Sequence, residues 1–88
     1  MKLARVTGTV TATAKDPQLT GLKLLVCDVV DGKGKLLKAA VVAADTVGAG
    51  VGEQVLIASG SAARLPVQTT GVPVDAVITA IVDRVDLG

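Results

Sequence analysis

The chain has 88 residues, half of them apolar, and contains no Phe, Tyr, Trp or His. Without His it has no imidazole to serve as a base near neutral pH or to ligate a metal; without aromatics it has no platform on which to stack a nucleobase, a sugar or a flat cofactor. Nine Lys and Arg against eight Asp and Glu leave a net charge of +1, which is no electrostatic footprint for nucleic acid or an anionic membrane.

Along the chain, Ala4, Val6, Gly8, Val10, Ala12 and Ala14 share one parity and Arg5, Thr7, Thr9, Thr11 and Thr13 the other. This alternation predicts a half-buried strand, with Gly8 as a bend or bulge within it. Lys15 to Gly21 breaks the pattern and reads as a loop. Lys23 to Val30 predicts a second strand, apolar on both faces through Leu24-Leu25-Val26-Cys27, which suits one face in a core and the other in an interface. Asp31-Gly32-Lys33-Gly34-Lys35 is a hairpin turn, with Asp28 and Asp31 facing solvent, and Leu36 to Asp45 returns as the third strand. After the glycine-rich loop Asp45 to Glu53, Gln54 to Ala58 predicts the fourth strand. Ser61 to Arg64 fits one helical turn, capped by Ser61 and stopped by Pro66. Val67 to Pro73 is loop, and Val74 to Val85 predicts the fifth strand. Five strands without a long helix, over one domain of residues 1–88, point to a small all-β barrel or sandwich.

A chain this short buries roughly 60% of its unfolded surface, and its mean hydropathy of +0.62 is high for a small soluble domain. Some of its apolar surface therefore belongs in a subunit interface, and a homo-oligomer is expected. The apolar run Ala39 to Ala44 is far too short to span a membrane, and the N-terminus has no stretch of signal-peptide length. Cys27 is the single cysteine and cannot form an internal disulfide, so a cytoplasmic protein is expected.

The possible chemical motifs fail on spacing or missing partners. Gly48-Ala49-Gly50-Val51-Gly52-Glu53 lacks the spacing of a dinucleotide fingerprint and leads into a strand, not a helix. It reads as a backbone turn, or as a close approach to another subunit. Cys27 has no His to activate it and reads as a small buried hydrophobe. Ser59-Gly60-Ser61 resembles a nucleophile elbow only superficially, since that motif needs Ser between glycines and a later His. Asp75, Asp83 and Asp86 do not match a calcium loop. No catalytic residue, cofactor site or metal site is expected. A small homo-oligomeric barrel binding a ligand or nucleic acid remains the alternative; neither a basic groove nor an aromatic surface supports the latter.

Four segments in register carry a family resemblance: Gly21 to Val26, Asp45 to Leu56, Gly60-Ser61-Ala62-Ala63-Arg64, and Pro73 to Ile78 leading into Ile81-Val82-Asp83. In this order the chain resembles the pentameric vertex proteins of bacterial microcompartments. Ala62 departs from the pattern, which usually has a second serine there. The resemblance implies a five-stranded barrel of oligonucleotide-binding-like topology, with one short helical turn, assembling as a cyclic homopentamer. It implies a non-enzymatic role at the vertices of a cytoplasmic polyhedral shell whose facets are hexameric shell proteins, with no nucleic-acid or membrane partner. It places Ser59, Gly60 and Ser61 near the five-fold axis. It places Gly48, Ala49, Gly50, Gly52 and Glu53 at the edge that meets the hexamers. Arg64 is a candidate for an ion pair between subunits. Composition leads to an oligomer; the number five comes only from the resemblance.

Overall fold

The computed structural model describes residues 1–11, 17, 21–60 and 75–88. Its five strands are β1 (Lys2–Val10), β2 (Lys23–Val30), β3 (Leu36–Asp45), β4 (Gln54–Ser59) and β5 (Ala76–Ile81). They close into a barrel in the order β1-β2-β3-β5-β4, with β4 returning to pair with β1. All neighbours are antiparallel except β3 and β5, which run parallel. This five-stranded closure agrees with the expected fold class. The helical turn expected at Ser61 to Arg64 lies outside the described residues.

Parity sorts the side chains. Ala4, Val6, Leu25, Cys27, Ala43, Val55, Ile57, Ala76 and Ile78 form the barrel core, joined by Ala49 from the loop after β3. Aliphatic side chains suffice to fill so narrow a barrel. The neighbouring residues of opposite parity, Ala44, Ala58 and Val77, form a second buried cluster with Leu22 and Leu24 packed on it. The doubly apolar face of β2 is thus covered in part within the subunit. It is not wholly left to an interface, as the sequence suggested.

Two irregularities shape the strands. The β1–β2 register slips between Val6 and Gly8, the bulge expected there. The β2–β3 register slips between Cys27 and Val29, and there Ala40 adopts φ 59°, a left-handed conformation uncommon for a residue with a Cβ. Asp28 Oδ1 accepts the freed Ala40 N–H at 3.2 Å. Asp31 anchors the following turn: its Oδ1 accepts the N–H groups of Lys33 and Lys35, both at 2.9 Å, and Gly34 supplies φ 85°. Both aspartates expected to face solvent therefore hold backbone.

The last strand is shorter than expected. It ends at Ile81, because β4 begins at Gln54 and offers no further partner once the Val82 N–H has reached the Gln54 carbonyl at 2.8 Å. The chain then turns charged through Asp83, Arg84 and Asp86, and Leu87 lies against Gly32 at the hairpin turn. β1 likewise ends at Val10, and Ala12, Thr13 and Ala14 of the expected run are not described.

Ala40→Gly relieves the left-handed strain at a small cost in chain entropy. It is expected to raise the unfolding free energy by about 1 kcal/mol. Denaturant titration measures this; a loss of stability would show that the bulge is unstrained.

Candidate functional site

The segment between β3 and β4 is held from both sides. Asp45 ends β3 with its carboxylate almost wholly buried, at 2% exposure. Its Oδ1 accepts the N–H groups of Val47 at 3.0 Å and Gly48 at 3.1 Å, and its Oδ2 lies 3.9 Å from the Lys23 ammonium. Lys23 also donates to the Ala49 carbonyl at 2.8 Å, so one side chain joins the end of β3 to the middle of the loop. Thr46 Oγ1 donates to the Ile78 carbonyl at 2.7 Å. At the far end, Glu53 Oε1 accepts the Gly50 N–H at 2.7 Å, and the Glu53 N–H donates to the Gly50 carbonyl at 3.1 Å. β1 completes the frame: Gly52 N–H donates to the Val6 carbonyl and Val6 N–H to the Glu53 carbonyl.

Two glycines meet a backbone need here, since Gly48 has φ 80° and Gly52 φ 92°. Gly50 has no such need; a Cβ there would lie in ordinary contact with Glu53 Oε1 at 3.4 Å. Among the five residues expected at a contact edge, Ala49 stands apart. Its side chain is fully buried in the barrel core, where it anchors the loop and presents no surface. Gly48, Gly52 and Glu53 are exposed, and Gly50 is half-buried. Asp45 and Lys23, which fix this loop, were not singled out in the sequence. Asp45 three residues before Gly48 is the available signal, since an Asp commonly caps such a turn.

Ser59 and Gly60 sit at the rim where β4 ends, opposite the start of β5. Ser59 pairs with Ala76, and the Gly60 N–H donates to the Asp75 carbonyl at 2.8 Å with φ 62° at Gly60. Both are exposed. Ser61 and Arg64 lie outside the described residues.

Cys27 is fully buried in the core. Burial pushes its thiol pKa up, and the Asp28 and Asp45 carboxylates push it further in the same direction. The thiolate is therefore disfavoured, the reverse of what a nucleophile needs. Among the described residues no group of three or more His, Cys, Asp or Glu side chains is placed to hold a metal ion, and no helix is long and apolar enough to cross a membrane.

Residues 1–83 match the family described as ethanolamine utilisation protein EutN/carboxysome. The carboxysome shell vertex protein CcmL of Thermosynechococcus vestitus is 52% identical over 85 residues, which span 97% of this chain and 86% of that protein. The bacterial microcompartment shell vertex protein PduN of Salmonella typhimurium is 45% identical over 87 residues, spanning 94% of this chain and 96% of its own length. Among solved structures, the GrpN pentameric microcompartment shell protein from Rhodospirillum rubrum superposes with a TM-score of 0.85 at 41% identity, covering 100% of this chain and 99% of that one.

Asp45→Ala leaves the Val47 and Gly48 N–H groups without their acceptor and Lys23 without its carboxylate. It is expected to lower stability by about 1–3 kcal/mol. Amide exchange at Val47 and Gly48 should accelerate while that of the β1–β2 ladder changes far less; unchanged exchange would show that the carboxylate does not hold the loop.

Proposed function

The chain belongs to the EutN/CcmL family, and from that premise we propose that five copies form a ring that closes a vertex of a polyhedral microcompartment shell. The match along the entire chain to a pentameric shell protein is the observation that carries this reading. The task is geometric. A sheet of hexagonal units stays flat, and a closed shell requires five-fold positions in it. A pentamer of similar thickness fills them without any chemical step. A residue set without His, and with a buried, protonated thiol, suits a structural role in the cytoplasm.

In this reading the partners are four further copies of the chain and the hexameric shell proteins around the vertex. The 46–53 loop is the contact edge. Gly48, Gly50, Gly52 and Glu53 lie toward the hexamers, and Ala49 secures the loop from inside the barrel. Small residues suit this position because they let a neighbouring backbone approach closely. A loop whose amides are already tied to Asp45 and Glu53 loses little freedom on docking, which favours binding. Ser59, Gly60 and Ser61 are assigned to the neighbourhood of the five-fold axis, where small residues crowd least, and Ser59 and Gly60 are exposed. Arg64 is assigned to an ion pair across the seam.

Native mass spectrometry of the purified protein is expected to give five subunits; a stable monomer or dimer at micromolar concentration would overturn the ring. Gly50→Arg should keep that mass. In co-expression with hexameric shell proteins it should reduce vertex capping about tenfold or more, equivalent to 1.4 kcal/mol or more at the contact. Electron microscopy of the shells checks this, and shells capped as well as with the wild type would remove the loop from the contact edge.

A further inference from the structure

Gly32 has no positive φ that calls for glycine, yet among the described glycines it is the one at which an added Cβ collides with a neighbour. Leu87 Cδ2 lies 2.8 Å from the place that Cβ would take. A leucine from the segment after β5 thus stands where a side chain of residue 32 would stand. That segment leaves β5 with its Val82 N–H on the Gln54 carbonyl, at the start of β4. It then reaches the turn between β2 and β3, neither of which neighbours β4 in the barrel.

The turn beneath Leu87 is almost fully hydrogen-bonded. Asp31 N–H donates to the Lys35 carbonyl at 2.9 Å and Gly34 N–H to the Asp31 carbonyl at 3.0 Å. Lys33 and Lys35 N–H groups both donate to Asp31 Oδ1 at 2.9 Å. Among the described residues, the Gly32 N–H alone of this turn has no acceptor. It is also the amide that follows the aspartate. An Asp–Gly link is where a side-chain carboxyl and the next amide nitrogen react most readily, because glycine has no side chain to hinder the nitrogen. Leu87 supplies from outside the obstruction that glycine lacks.

We propose that Asp31–Gly32 is a site of self-modification, the conversion of aspartate to isoaspartate, and that Leu87 is the latch that keeps it closed. The Gly32 nitrogen attacks Asp31 Cγ and an N–Cγ bond forms; the amide proton and the carboxyl OH leave as water. Water then adds to the main-chain carbonyl carbon of Asp31 in the five-membered ring and breaks its bond to nitrogen, so the chain runs on through Cγ. Two restraints oppose the first step. The carboxylate must leave both N–H groups that hold it, and the Gly32 peptide must turn against Leu87. Once formed, isoaspartate lengthens the main chain by one carbon in the turn that sets the β2–β3 register, and Lys33 and Lys35 lose their shared acceptor. The hairpin is then altered without any enzyme.

The test ages folded wild type and Leu87→Ala side by side in neutral buffer. Isoaspartate is measured by electron-transfer fragmentation of the tryptic peptide Leu24 to Lys33, which carries both Asp28 and Asp31. Leu87 is 62% exposed, so only roughly a third of a leucine's burial energy holds it, and its removal is expected to speed conversion at Asp31 about threefold. Asp28, which precedes Val29, is expected to stay unchanged, and adding Gly32→Ala to Leu87→Ala should abolish the gain. Wild type kept in denaturant should convert faster than folded wild type, since both restraints are then gone; this comparison decides if circular dichroism shows that Leu87→Ala does not fold. Equal rates at Asp31 in folded Leu87→Ala and wild type would overturn the latch, as would folded wild type converting as fast as the denatured chain. A gain at Asp28 as large as that at Asp31 would assign the effect to general loosening and overturn it too. Absence of isoaspartate at Asp31 even in denaturant would remove the site.

Discussion

Closure of this barrel depends on a parallel seam only two residue pairs long. Ala44 faces Val77 and Asp45 faces Ile78, and nothing else in the strand ladders joins β3 to β5. So short a ladder would be fragile alone, but side chains reinforce it on both faces. Ala43 and Ile78 pack inside the barrel, Ala44 and Val77 pack outside it, and the Thr46 hydroxyl donates to the Ile78 carbonyl. Alanines at the seam keep the two backbones unobstructed. Everything downstream inherits its position from this seam, because Asp45 is both its last residue and the anchor of the loop that follows.

The local features were legible in the sequence. The bounds of β2 and β3, the bulge at Gly8 and the hairpin turn follow from alternation and from glycine placement, and the structure reproduces them. Non-local features were not. Alternation in β2 shows that both faces are apolar but cannot say what covers the outer one, so that face suited a subunit interface, whereas Leu24 packs on Ala44, Ala58 and Val77 of the same subunit. Asp45 and Lys23 are 22 positions apart and meet only because β2 and β3 pair. Ala40 carries no sign of its left-handed backbone, since alanine is unremarkable in a strand and glycine would be expected in that conformation. The pentamer itself was legible only through resemblance, because nothing in a hydrophobic pattern counts subunits.

Composition and assembly address the same problem. A barrel core of Val, Ala, Leu and Ile with no aromatic ring packs closely but brings less buried area per side chain. An 88-residue chain built this way has little stability to spare as a monomer. A ring covers further apolar surface without enlarging the fold, so the subunit can stay small enough to fit a vertex. Near-neutral net charge is also what a tile needs if identical copies are to lie side by side without repulsion.

The loop after β3 separates its anchors from its outer surface. Ala49 points into the barrel, Asp45 and Lys23 tie the backbone from below, and Val51 stands outward at the tip. Residues that secure the fold and a residue that meets the outside thus occupy different positions within one short segment. With the loop as the proposed contact edge, this is modularity in evolutionary terms: the tip can diversify to suit a new set of neighbouring tiles while the anchors stay under selection for folding alone. A duplicated copy of such a chain could move between compartments of different composition by drifting at its rim, with its barrel inherited intact.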